Sequence, residues 1–158
     1  MIEPLRMVFD VDCPVEHAFD LWTRRTSSWW PVPHTVTATP GLQVIFEGRT
    51  GGRIFERTPG GREVDWGEIT VWEPPVRLCY LWHIATDRSD ATEVEIRFSR
   101  RGETATRIDI EHRGWERLGA RGPSWRDANR SGWHGVLPHF VGVCARVPTR
   151  RSTNRISL

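Results

Sequence analysis

His112 is the ionisable side chain best placed for chemistry. Thr106, Ile108, Ile110 and His112 occupy alternate positions, and a strand puts alternate side chains on one face. An imidazole at the end of an apolar face can bind a ligand oxygen or move a proton, because its ordinary pKa lies closest to neutrality. The competing reading is a structural histidine bonded to backbone near the last helix. It carries more weight, since buried polar groups are generally satisfied within the protein. Tyr80, the one tyrosine of the chain, is the second proton-transfer candidate and the one phenol able to orient a polar ligand group. It shares a strand face with Trp82. Together with Trp66, Trp133, Leu137 and His112, these two can wall a ligand cavity, although a lining residue and a core residue obey the same pattern.

Other constellations are weaker. Glu63 and Asp65 point to one side of a strand, which suits paired carboxylates for acid and base work, but a solvated sheet face produces the same spacing. His134 and His139 are five apart, so they diverge around a helix where metal ligands at i and i+4 would converge. No metal and no cofactor is expected. Glycine-rich phosphate loops and a Gly-x-Ser-x-Gly elbow are missing from the sequence. All 22 basic side chains are arginine, so Schiff-base chemistry and the lysine-dependent phosphate loop are excluded.

These residues need elements to hold them. Residues 124–146 form an amphipathic helix in which Asn129, Trp133, Val136, Leu137, Phe140 and Cys144 recur every three or four positions. Ser124 and Asp127 have the spacing of a capping box at its start. Gly132, Gly135 and Gly142 cost roughly 1 kcal/mol each within a helix, and Pro138 costs about 3. Such a helix must be held by packing. The remaining chain supplies a sheet. Residues 5–11 alternate as a strand, Pro14 opens a helix with Val15, Ala18, Phe19 and Trp22 on its inner stripe, and residues 24–30 suggest a second short helix before a loop over 31–41. Strands are expected at 43–47, 53–57, 62–72, 77–83, 92–99 and 104–113, separated by glycine- and proline-rich turns. Gly67 inside one of them invites a bulge or a close approach by another group.

Length and composition set the frame. A chain of 158 residues makes one domain able to bury about two thirds of its unfolded surface. Cys13, Cys79 and Cys144 are widely spaced and odd in number, which fits three buried free thiols in a reducing compartment. The N-terminus has no signal-peptide core and no run is long enough to span a membrane, so a cytoplasmic location is expected. Arg146, Arg150, Arg151 and Arg155 lie in a tail without acids, and removing these four turns the net charge of +2 into −2. The domain is therefore not a basic nucleic-acid binder. The tail, 147–158, is expected to be poorly ordered. Nine tryptophans fit either a heavy core or an apolar cavity.

The resulting α+β order, β-α-α-β6-α, is a curved antiparallel sheet wrapped around a long C-terminal helix, and it resembles the helix-grip fold of the START-like (SRPBCC, Bet v 1-like) superfamily over 1–146. Pro14-Val15-Glu16-His17-Ala18-Phe19, Leu21-Trp22, Trp29-Trp30-Pro31 and Gly51-Gly52-Arg53-Ile54-Phe55-Glu56 resemble the family similar to the C-terminal domain of the Hsp90 ATPase activator Aha1. So do Trp66-Gly67-Glu68-Ile69, the segment 72–78, the segment 106–115, Gly132-Trp133 and Val136-Leu137. The resemblance implies a small-molecule binding protein holding an apolar or aromatic ligand between sheet and long helix. It leaves open a cyclase or aromatase using His112 and Tyr80, and an Hsp90-type interaction module. A homodimer is compatible with it, whereas nucleic-acid and membrane partners are not expected.

Overall fold

The alternation at the N-terminus becomes strand β1, Leu5–Val11. In the computed structural model, which describes residues 1–146, β1 leads through Pro14 into helix α1, Val15–Thr23, which buries Val15, Ala18, Phe19, Leu21 and Trp22. The tail 147–158 and the expectation attached to it lie outside the described residues. The second helix expected over 24–30 does not form. A single 3₁₀ turn, Thr26–Ser28, stands there, and another, Val32–His34, follows within the expected loop. Side chains explain the stop. The Thr26 hydroxyl donates to the Trp22 carbonyl at 2.6 Å, and the Ser27 hydroxyl accepts from Val44 N–H at 2.8 Å. Both bonds offer the backbone alternatives to helix continuation.

Six further strands follow: β2 (Gln43–Phe46), β3 (Arg53–Arg57), β4 (Glu63–Glu73), β5 (Arg77–Trp82), β6 (Thr92–Arg100) and β7 (Thr106–Arg113). All pair antiparallel in one curved sheet of order β1-β7-β6-β5-β4-β3-β2, so only β1 leaves sequence order to cover β7. Register shifts at Ile54/Phe55 and at Ile69/Val71 mark bulges, which sharpen strand bending. Gly67 lies opposite Trp82, where a Cβ would sit 2.0 Å from the Leu81 carbonyl oxygen. That is the close approach its position in the strand suggested.

After β7, Gly114 turns the chain at φ 92° into a 3₁₀ segment, Trp115–Arg121, and then into helix α2, Gly122–Ala145. The capping box expected at Ser124 and Asp127 does not form. The helix starts at Gly122 with Pro123 in its first turn, and the Ser124 hydroxyl donates to the Arg121 carbonyl from within the helix. A proline with its φ already helical sets this start more effectively than a hydroxyl one residue later. Helix α2 continues through Pro138 and buries Trp133, Val136, Leu137, Phe140 and Cys144, while Asn129 is half-buried. Burial of the four larger side chains is worth on the order of 6–12 kcal/mol. This matches or exceeds the helix penalty of about 6 kcal/mol from the proline and three glycines.

Most space between sheet and α2 is occupied by aromatic rings. Trp22 meets Trp29 and Phe140 at centroid distances of 4.9 Å, Trp30 meets Trp66 at 5.2 Å, and Trp82 meets Tyr80 at 5.5 Å. The opposite sheet face carries arginine–carboxylate pairs. Glu95 accepts from Arg77 and Arg113; burial opposes its ionisation, but these bonds prevail and hold its pKa at about 2.

Candidate functional site

The cavity lies where the aromatic filling ends. Trp29-Trp30-Pro31 leads into the 3₁₀ turn Val32–His34, and the Trp30 indole N–H donates to the His34 carbonyl at 3.1 Å. This turn roofs a space of about 80 Å³. Trp30 and His34 come from the roof, Trp82 and Ile84 from the end of β5 and just beyond, and Asn129, Gly132, Trp133 and Val136 from α2. Gly135, beside them on α2, admits the His34 ring, since a Cβ there would lie 2.8 Å from the ring's Cε1 and Nε2. Larger clefts of about 200–240 Å³ lie elsewhere on the protein, but their walls are rich in charged side chains.

Glu56 of β3 fixes the roof. Its carboxylate is fully buried, and each oxygen accepts two bonds. Oε1 takes Val36 N–H at 2.6 Å and the Trp66 indole N–H at 2.8 Å, while Oε2 takes Thr37 N–H at 3.0 Å and the Thr37 hydroxyl at 2.6 Å. Burial raises the cost of this charge, yet the four donors outweigh it and hold the carboxyl below its ordinary value. Strand alternation places this acid inward with Ile54: in the unbroken pairing with β2 they lie opposite the buried Val44 and Phe46. Phe55 points to the outer face, where it is covered by the Arg53 and Arg57 guanidinium groups.

His112 stands behind the cavity wall. It is completely buried, with Nε2 2.7 Å from the Thr92 hydroxyl and Nδ1 accepting the Trp133 indole N–H at 3.0 Å. An indole nitrogen can only donate, so Nδ1 is unprotonated and the proton sits on Nε2, facing Thr92. Burial lowers its pKa to about 3, which keeps the ring neutral. Both nitrogens are engaged, and the ring serves as the post that aims Trp133 at the cavity. Trp115 lies against it at 4.2 Å and donates its indole N–H to the His112 carbonyl.

Of the six candidate binding residues read from the sequence, Trp82 and Trp133 line this cavity. Trp66 is held by Glu56 behind Trp30, and Leu137 is buried in the core. Tyr80 is fully buried, its hydroxyl and the Trp22 indole N–H both lack hydrogen-bond partners among the described residues, and burial pushes its pKa up. Glu63 and Asp65 are bound by Arg53 and Arg57 on the outer sheet face, at 2.8 Å for Arg57–Glu63 and Arg53–Asp65. Sequence reasoning missed His34, Glu56 and Ile84. A histidine three residues after Trp-Trp-Pro was the available signal for the first, and the alternation of Glu56 with Ile54 in the strand 53–57 was the signal for the second.

Cys13 and Cys144, remote in sequence, both buried and both free, lie against each other, and a thiol–thiol hydrogen bond lowers the pKa of Cys13 and raises that of Cys144. Among the described residues no group of three or more His, Cys, Asp or Glu side chains is arranged to hold a metal ion. Nor is any described helix long and apolar enough to cross a membrane.

Comparison with known proteins places this geometry. No curated protein matches the sequence. Among solved structures, the anthrahydroquino-gamma-pyrone synthase Txn09, complexed with SUM, shares 30% identity over 90% of this chain and 97% of its own, with a TM-score of 0.61. CalC from Micromonospora echinospora, described as a self-sacrificing resistance protein, superposes with a TM-score of 0.69 at 23% identity, covering 94% of this chain and 97% of its own. The Aha1 dimer from Colwellia psychrerythraea shares the fold at 16% identity and a TM-score of 0.65, over 92% of this chain and 98% of its own. The family described as activator of Hsp90 ATPase homolog 1-like protein matches residues 12–143, spanning every element from α1 through most of α2, and the chain belongs to that family.

Proposed function

We propose that this protein binds a small planar aromatic molecule in the cavity beneath the Val32–His34 roof. The observation that carries the reading is the convergence of Trp30, Trp82 and Trp133 on one opening, with Gly132 leaving α2 without a side chain at the cavity wall. Flat indole walls favour flat ligands through dispersion and offset stacking. The cavity of about 80 Å³ is well below the ~300–1,000 Å³ of sites that enclose a drug-sized ligand. One ring of a fused system enters, and the remainder occupies the mouth between roof and α2.

The kinship with a synthase whose named product contains an anthrahydroquinone supports an aromatic ligand. The same kinship favours a second reading, in which a bound precursor undergoes ring closure. Titration with anthraquinone-2-sulfonate, followed by calorimetry, tests binding. Trp82→Ala and Trp133→Ala are expected to weaken it at least tenfold while near-UV circular dichroism shows a folded domain. Unchanged affinity in both folded variants, or no binding by the parent protein to any fused aromatic, removes the reading.

A further inference from the structure

We infer that His34 selects a neutral hydroxylated aromatic ligand by hydrogen-bonding its phenolic group, an inference that rests on the cavity-binding reading above. Among the described residues, His34 is the only ionisable side chain that lines the cavity. Neither of its ring nitrogens has a protein partner among the described residues, although the ring is firmly stationed. Its carbonyl is held by Trp30, its backbone closes the 3₁₀ turn onto Pro31, and its ring rests on Gly135.

The rest of the polar inventory narrows the ligand. The indole N–H groups of Trp30 and Trp133 are spent on the His34 carbonyl and on His112, whereas that of Trp82 donates to no described residue and can meet a ligand oxygen. The Asn129 amide donates one N–H to the Trp125 carbonyl at 2.9 Å, leaving its oxygen free to accept. Among the described residues, the wall contains no arginine and no carboxylate. An aromatic acid or phosphate would therefore enter an apolar cavity without a fixed cation, at a large desolvation cost. A cationic amine would find no counter-charge. A phenol fits this set, because its O–H donates to an imidazole nitrogen or to the Asn129 oxygen while its own oxygen can accept in return. A site built to bond a hydroxyl rejects an isostere that lacks it far more strongly than an apolar pocket rejects an added hydroxyl.

Calorimetric titration with 2-naphthol, 2-methylnaphthalene and 2-naphthoate at pH 8 tests this. The parent protein is expected to bind 2-naphthol at least tenfold more tightly than either of the others. His34→Phe should abolish the preference over 2-methylnaphthalene while leaving affinity for that hydrocarbon within about twofold, and His34→Gln, which retains a donor and an acceptor, should restore part of it. Equal binding of naphthol and methylnaphthalene by the parent, an undiminished preference in His34→Phe, or tightest binding of the naphthoate overturns the assignment to His34 and leaves the cavity reading standing. Failure of all three probes to bind overturns the cavity reading and this inference together.

Discussion

Replacing Glu56 with glutamine changes one atom in the buried carboxylate and should destabilise the whole domain. Both oxygens accept a backbone N–H, from Val36 and from Thr37. An amide has one oxygen, so in either orientation its NH₂ group faces one of those donors. The unpaired buried N–H costs ~1–3 kcal/mol. The remaining bonds lose their charge assistance, worth roughly 1 kcal/mol each, because bonds to ions are about twice as strong as neutral ones. The neutral side chain is easier to bury, which offsets part of this loss. The expected net destabilisation is ~2–4 kcal/mol, read as a lower urea midpoint with an unchanged slope.

The roof should also become the first segment cleaved by protease, because its anchor to β3 is gone. If Glu56→Gln is neutral or stabilising, the desolvation cost of the carboxylate exceeds what its four bonds return, and its assignment as the anchor is wrong. Acid provides a check on sign. The folded-state pKa of Glu56 is depressed below 4.5, so its contribution is present above the unfolded pKa and is lost as pH falls through the folded value. The glutamine variant should lack that part of acid unfolding.

Gly135→Ala should raise stability by up to about 1 kcal/mol through helix propensity, yet weaken ligand binding, because the new methyl would lie 2.8 Å from the His34 ring and must displace it. Urea unfolding and calorimetry on the same variant check the two opposite signs. His112 has a pKa of about 3 when folded against 6.5 in the free side chain, so the unfolded state binds the extra proton between these values. Stability should decline as pH falls below about 6.5, by up to ~1.4 kcal/mol per unit, and His112→Gln should remove this component between pH 5 and 6.5, where carboxylates contribute least. Cys13, Cys79 and Cys144 are all buried and free, so a thiol reagent should react slowly with the native protein and find three thiols once it is unfolded in denaturant.

Much of the architecture was legible because its causes are local. The period of two in 106–113 placed Thr106, Ile108, Ile110 and His112 inward, and all four are buried. The spacing of three and four in α2 identified Trp133, Val136, Leu137, Phe140 and Cys144 as its inner face. Local signals failed where a side chain found a distant or competing partner. Thr26 and Ser27 ended the second helix by bonding Trp22 and Val44, and Pro123 displaced Ser124 as the start of α2.

The number and order of strands, the weak but wide face of the last helix, and the exclusion of lysine chemistry follow from residue types and near neighbours alone. Which tryptophans wall a cavity and which fill the core follows from how distant segments pack. Trp66 and Trp82 have the same inward periodicity, but Glu56 holds one behind Trp30, while the other reaches the space beside α2. His112, on the strand face where chemistry was first sought, became the post for Trp133, and His34, in an expected loop, became the imidazole at the cavity. Those assignments depend on packing between segments remote in the chain, and no periodicity encodes such distances.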